Sequence, residues 1–159
     1  MTLLSASDLL GIAAAAGFSG PDLATAAAIA LAESSGNPQA VNPEGSYGLW
    51  QIYLKDHPEF SSMDLFQPDA NAAAAYTVYQ QAGYSFRPWS TFKSGKYLQF
   101  MGNVNAAVLA ATGIPTDQSG SGGGGDGGNS GGGTVPATSI LPVVLLGAGA
   151  LLWVLWMRG

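Results

Sequence analysis

A glycine-rich stretch constrains the fold of this chain more than any other feature. Ten of the fifteen residues from 119 to 133 are glycine, and only Ser, Asp and Asn stand between them. This composition predicts a flexible linker, because glycine loses the most backbone freedom on ordering and these residues bury no apolar surface. About 110 residues precede the linker, which is enough for one helical domain with its own core.

The sequence therefore predicts three parts: a domain over residues 1–115, a stalk over 116–136 and a C-terminal segment over 137–159. The last part holds eighteen consecutive uncharged, mostly apolar residues, Ile140 to Met157. As a helix they would be roughly 27 Å long, close to the hydrocarbon thickness of a bilayer. Trp153 and Trp156 lie near one end, as interfacial anchors do. We expect a single transmembrane helix; a buried core helix fits poorly after such a linker.

Charge and composition exclude several classes of function. Ten acidic residues stand against five basic ones, and the basic residues are scattered. No stripe of Lys and Arg could neutralise a phosphate backbone, so nucleic acid is not an expected partner. The chain has no Cys, and no pattern of metal ligands or phosphate-binding loop stands out, so we expect neither a metal nor a cofactor. Met1 to Gly20 contain no Lys or Arg, which is not the pattern of a secretory signal.

The domain is predicted to be mainly α. The second helix illustrates the signals: Pro21 suits a first turn, Asp22 suits the positive end of the helix dipole, and the run Ser-Ser-Gly-Asn-Pro from residue 34 disfavours continuation. Helices are predicted from a serine cap at residue 5 or 7 to about 16, from 21 to about 34, from 71 to about 82 and from 97 to 112, with a short hairpin or irregular lobe over 38–54 and a loop over 87–90.

Glu33 lies in the last turn of the second predicted helix, where a carboxylate does not favour the helix dipole. It follows Ala-Ile-Ala-Leu-Ala and is the only acid between Asp22 and Glu44. In general, a carboxyl group donates a proton near neutral pH only when its pKa is raised, usually by apolar neighbours. From this context alone, Glu33 is either a general acid or a surface residue at the end of an amphipathic helix.

Three motifs, in a fixed order along the chain, favour the interpretation of Glu33 as a general acid. They are Ala-Leu-Ala-Glu33-Ser34, then Tyr47-Gly48-Leu49-Trp50-Gln51-Ile52, then Asn71-Ala-Ala-Ala-Ala-Tyr76, with Pro88-Trp89-Ser90 behind them. In this order and at these distances they strongly resemble the soluble lytic transglycosylase branch of the lysozyme-like superfamily, over about residues 20–92. The motif sequences are most similar to those of lysozyme-like domains from bacteriophage particles and tail proteins.

The resemblance implies a lysozyme-like helical fold and a peptidoglycan glycan strand as substrate, cut at its MurNAc–GlcNAc β-1,4 bond. Glu33 would be the single catalytic acid and then base. Ser34 would hold the carboxyl group or the sugar's N-acetyl group by a hydrogen bond. Tyr76 would reach the carboxyl group from the neighbouring helix, and Trp89 would offer an apolar face to a sugar. On chemistry alone, Tyr76 and Trp89 fit core packing equally well.

The resemblance further implies that the segment from Gly48 to Ile52 walls the cleft. Gly48 would let the glycan approach the backbone, and Gln51 would meet the N-acetylated sugar. Leu49 and Ile52 are expected in the core in either case.

The type of reaction depends on one position. In animal-type lysozymes the residue before the Tyr-Gly hairpin motif is the second carboxylate, and here it is Ser46. The resemblance therefore favours a transglycosylase, in which deprotonated Glu33 activates the muramic acid's own 6-hydroxyl group and a 1,6-anhydro ring forms. The alternatives are a hydrolytic muramidase that uses Glu33 and Glu44, and a non-catalytic glycan-binding membrane protein of the virion.

The expected location follows from the anchor. A C-terminal span without a secretory signal would be inserted after translation and would leave the enzyme away from the wall in a cell. We therefore expect a single-pass protein of a bacteriophage virion membrane, with virion capsid or membrane proteins as possible partners, that opens the host wall during entry. A bacterial cell envelope protein is the alternative.

Overall fold

The computed structural model describes residues 2–113, which form a mainly helical domain with a small antiparallel hairpin. This confirms the expected fold class for the domain, whereas the proposed stalk and the apolar segment Ile140 to Met157 lie outside the described residues. None of the helices within residues 2–113 combines the length and apolar character needed to cross a bilayer. In chain order the elements are α1 Ala6–Ala16, α2 Gly20–Ser34, β1 Ser46–Tyr47, β2 Ile52–Tyr53, a 3-10 turn Pro58–Phe60, α3 Pro68–Gln81, α4 Ser90–Lys93 and α5 Leu98–Thr112.

The first two helices begin and end where local sequence signals place them. The Ser5 hydroxyl oxygen accepts the Asp8 N–H at 3.2 Å while the Asp8 carboxylate accepts the Ser5 N–H at 2.9 Å, which is a capping box. Gly17 ends α1 in a left-handed conformation with φ +119°. Helix α2 starts one residue before the expected Pro21.

Helix α2 is the centre of the domain and carries Glu33 at its C-terminal end. Residues 26–30 are fully buried, as expected of a helix covered on all sides, and α2 packs against α1, α4 and α5. The Leu4 N–H donates to the Gly36 carbonyl at 2.8 Å, so the start of α1 lies beside the end of α2. The two helices are therefore antiparallel, and Glu33 sits near the start of α1.

The hairpin is held to α3 by one buried side chain. Strands β1 and β2 pair with Ser46 opposite Tyr53, and residues 48–51 connect them. The Asn71 Oδ1 accepts the Trp50 N–H at 2.8 Å, and its Nδ2 donates to the carbonyls of Tyr47 and Leu65 at 2.9 and 3.0 Å. Asn71, which is fully buried in α3, therefore holds the connecting turn in position.

One helix start and one short helix differ from the sequence-based expectation by more than a single residue. Helix α3 begins at Pro68, three residues early, because proline suits a first helical turn. The expected loop over 87–90 gives way to α4 at Ser90. A four-residue helix contains barely one turn, so no apolar periodicity could have predicted it.

Candidate active site

Glu33 is half-buried at the end of α2, and its carboxylate has one side-chain partner in the described structure. The Thr91 Oγ1 in α4 donates to the Glu33 Oε1 at 2.7 Å. Thr91 itself is buried, with 7% of its surface exposed. A hydrogen bond to a charged acceptor is stronger than one between neutral groups. The carboxylate is therefore held from the neighbouring helix, while Glu33 as a whole stays partly accessible.

The hydroxyl group of Ser34, next to Glu33, donates its hydrogen bond within α2. The Ser34 Oγ donates to the Ala30 carbonyl at 2.8 Å, one turn back along α2. The side chain is buried, with 9% exposed. In this conformation the hydroxyl group does not donate to Glu33 or towards a ligand, although its oxygen can still accept a hydrogen bond.

Gly48 is required by packing inside the domain. Its φ is +73°, and a Cβ there would lie 2.2 Å from the Leu65 carbonyl oxygen and 2.3 Å from the Asn71 Nδ2. The expectation that the missing side chain makes room for a glycan is therefore corrected. Asn71 and Leu65 fill that space, because Asn71 must come close enough to bond the turn.

The side chain of Gln51 stabilises the same turn. Gln51 has a positive φ of +49°, which is uncommon outside glycine. Its Nε2 donates to the carbonyls of Gly48 at 2.8 Å and Ala40 at 3.2 Å. Leu49 and Ile52 are in the core, with 0% and 2% exposed, as expected. Because 0% of the whole residue is exposed, neither the side chain nor the backbone of Leu49 presents a surface to a ligand in this conformation.

The structure does not bring Tyr76 to Glu33. The edge of the Tyr76 ring reaches Gly17: a Cβ added there would lie 2.7 Å from the Tyr76 Cε1. The same ring packs edge-on against Phe18, with centroids 5.0 Å apart. This is the beginning of α2, roughly 20 Å along the helix from its end at Glu33. The contact expected from Tyr76 is made instead by Thr91.

Trp89 is mainly a structural residue with one side on a pocket. It is 6% exposed, and its indole N–H donates to the Trp50 carbonyl at 2.8 Å. The buried Trp50 in turn donates its indole N–H to the Ala26 carbonyl at 3.0 Å. These two hydrogen bonds link Trp89, the residue before α4, to the hairpin turn and to α2. Trp89 also lines a pocket of about 160 Å³ together with Gln51, Ile52 and His57.

The position of the second lysozyme carboxylate is occupied by a serine in β1. Ser46 is 7% exposed, and its backbone N–H donates to the Asn42 Oδ1 at 2.9 Å. Glu44 is exposed in the turn before β1. Within the described residues, no group of three or more His, Asp or Glu side chains is arranged to hold a metal ion.

Sequence reasoning missed Thr91, and only weak signals pointed to Asn71. Thr91 meets Glu33 across 58 positions of the chain, in a helix too short to predict. Asn71 stood at the start of a recognised motif, but nothing local showed that its amide bonds a turn more than twenty residues away.

Comparison with known protein families identifies one related family. A family model described as a lysozyme-like domain matches residues 10–91, slightly more than half of the chain. The matched range runs from α1 to the residue that contacts Glu33. No curated protein and no solved structure matches the chain.

Proposed function

The chain belongs to the lysozyme-like domain family, and on that premise we propose that it is a peptidoglycan lytic transglycosylase with Glu33 as its acid and then its base. Membership indicates peptidoglycan cleavage in general. The observation that carries the finer proposal is the half-buried Glu33, fixed by Thr91 at the end of a buried helix.

From the hydrogen bond that Thr91 donates, we further propose different roles for the two carboxyl oxygens. Because Oε1 accepts a hydrogen bond from the Thr91 hydroxyl group, we assign the proton of the acid form to Oε2. That proton goes to the glycosidic oxygen as the bond to the muramic acid C1 breaks, and positive charge develops at C1 and the ring oxygen. The Glu33 carboxylate remains beside the sugar.

In the second step the carboxylate takes the proton of the muramic acid's 6-hydroxyl group. The oxygen of that group bonds to C1 and closes a 1,6-anhydro ring, which leaves Glu33 protonated again. No water is consumed, and one carboxyl group serves both steps. The presence of Ser46, instead of a carboxylate, at the second position supports this route.

A hydrolytic muramidase is the competing proposal. It would need a second carboxylate, either to attack C1 or to activate water, and Glu44 is the candidate. Glu44 is exposed in a turn, a weaker setting than that of Glu33. A non-catalytic glycan-binding protein is the third possibility, but binding alone gains nothing from a held carboxyl group at a helix end.

Products formed in water enriched in oxygen-18 separate these proposals. The full chain is incubated with purified peptidoglycan, and the fragments are analysed by mass spectrometry. We expect muramic acid ends that are one water lighter than reducing ends and carry no label. Labelled reducing ends, lost in Glu44→Gln, would establish the hydrolytic route, and an undigested wall would contradict both enzymatic proposals.

We also propose that Ile140 to Met157 anchor the domain in a bacteriophage virion membrane, with the segment 116–136 giving it reach to the host wall. The support is the sequence pattern alone. Immunoblots of purified particles from the source test this. Presence in particles supports the proposal, whereas absence from particles together with presence in a host envelope fraction contradicts it.

A further inference from the structure

A second pocket, of about 340 Å³, opens where α1 meets α2, at the opposite end of α2 from Glu33. Its volume falls in the range of small-ligand sites. Asp22, which lies on it, is eleven residues from Glu33, or roughly 16 Å along the helix. The pocket therefore shares no residue with the catalytic proposal. Four aromatic side chains and one acid dominate its lining: Phe18, Tyr76, Tyr79, Tyr84 and Asp22.

The aromatic rings around the pocket meet one another at different angles. Phe18 and Tyr76 meet edge to face with centroids 5.0 Å apart, and Tyr79 and Tyr84 do so at 5.7 Å. Edge-to-face pairs present ring faces in roughly perpendicular directions. The electron-rich face of an aromatic ring attracts a cation within about 6 Å of its centroid.

Tyr84 packs against Tyr79 but keeps most of its surface exposed. It is 65% exposed, and both Gly83 and Tyr84 have positive φ, +71° and +58°. This conformation costs a residue with a side chain on the order of 1–3 kcal/mol. An exposed aromatic ring on a strained backbone, beside a pocket, is available for contact with a ligand.

The charge of the pocket is negative. The Tyr79 hydroxyl donates to the Asp22 Oδ2 at 2.5 Å. Burial first, and the Asp22 carboxylate second, raise the pKa of Tyr79 to about 12. The phenol therefore remains a donor at neutral pH. Among the residues that line this pocket there is no Lys or Arg to neutralise Asp22, and the whole chain carries a net charge of −5.

We propose that this pocket binds an organic ammonium group. Aromatic faces and one carboxylate without a basic neighbour form an environment that stabilises such a cation by cation–π attraction and by direct charge attraction. Both primary and quaternary ammonium groups share this chemistry. The site is a binding site only, and it does not depend on the reaction proposed for Glu33.

Titration of the full chain, followed by the NMR signals of its tyrosine rings, tests this. The probes are choline, butylammonium and the neutral alcohol in which carbon replaces the choline nitrogen, in a buffer free of other amines. We expect saturable shifts of the Tyr76, Tyr79 and Tyr84 signals with the ammonium probes, and binding at least about tenfold weaker for the neutral alcohol. The tighter of the two ammonium probes identifies the primary or quaternary source.

Two variants and one control complete the test. Asp22→Asn keeps an acceptor for Tyr79 but removes the charge, and we expect about tenfold weaker binding. Tyr84→Ala removes an exposed ring and should weaken binding about two- to fivefold. Asp69→Asn, an exposed acid in the first turn of α3, should leave binding unchanged. Equal binding of the neutral alcohol, equal binding by Asp22→Asn, or no saturable shift would overturn the proposal.

Discussion

The Thr91 hydroxyl group donates a 2.7 Å hydrogen bond to the Glu33 carboxylate and joins the four-residue helix α4 to the C-terminal end of α2. Thr91 accepts no proton in the proposed reaction and touches no sugar atom in it. In the proposed reaction it is a positioning residue, since its hydrogen bond to Oε1 leaves Oε2 for the substrate. Its removal should therefore affect turnover more than binding.

Replacing Thr91 by Val tests this role, because Val has nearly the same shape without the hydroxyl group. A hydrogen bond to a charged group is worth about 1.5–3 kcal/mol, so we expect kcat on purified peptidoglycan to fall about ten- to a hundredfold with KM little changed. Thr91→Ser should restore most of the rate. An unchanged kcat in a folded Val variant, or a loss that Ser does not rescue, would contradict the role.

The two glycines Gly48 and Gly83 form a matched pair for testing the hairpin turn. Their φ angles are +73° and +71°, but a Cβ meets protein atoms only at Gly48. Gly83→Ala should cost about 1–2 kcal/mol of unfolding free energy, from backbone strain alone. Gly48→Ala should cost about 1–3 kcal/mol more, because Asn71 and Leu65 have to move. Equal losses in urea unfolding would show that the contact is unimportant.

Asn71 should contribute more to stability than any exposed asparagine. Asn71→Ala leaves the Trp50 N–H and the carbonyls of Tyr47 and Leu65 without their partner, and each buried unsatisfied group costs about 1–3 kcal/mol. We expect a loss of at least about 3 kcal/mol in urea unfolding. Asn103→Ala, on the exposed side of α5, is the control and should change stability by less than about 0.5 kcal/mol.

The features that could be predicted from the sequence are those that depend on contacts between neighbouring residues. Helix α1 was predictable because its cap, Ser5 with Asp8, is local. The placement of Glu33 at a helix end was predictable for the same reason, from the run of turn-forming residues behind it. Neighbouring residues determine both features, so both can be predicted from one amino-acid sequence.

What the sequence did not provide depends on distant contacts. The role expected of Tyr76 was wrong because nothing local shows which end of α2 a residue of α3 faces. The reason expected for Gly48 was wrong because the crowding comes from Asn71, far along the chain. The partner of Glu33 was missed because Thr91 lies in a single helical turn that no periodicity marks.

The raised pKa of Tyr79 predicts a loss of stability at high pH. In the folded state the pKa of Tyr79 is about 12 because of burial and Asp22, whereas the pKa of an unfolded tyrosine is about 10. The folded state therefore holds the proton more tightly. Its contribution to stability is complete below about pH 10 and is lost as the pH rises towards 12.

Urea unfolding at a series of alkaline pH values measures this contribution. Tyr79→Phe should flatten the fall in unfolding free energy between about pH 10 and 12. Tyr53→Phe, a half-buried tyrosine outside the ammonium pocket, serves as the control. If both variants follow the wild-type slope, the phenol of Tyr79 does not retain its proton in the folded state.

The most direct test of the account is the rate at which Glu33→Gln releases soluble fragments from purified peptidoglycan. Glutamine can still accept the Thr91 hydrogen bond but cannot donate a proton as an acid, so the fold should persist. The account predicts that fragment release by Glu33→Gln falls to the background of a reaction without enzyme, while Glu44→Gln keeps the wild-type rate. Release by a folded Glu33→Gln at a rate near that of the wild type would contradict it.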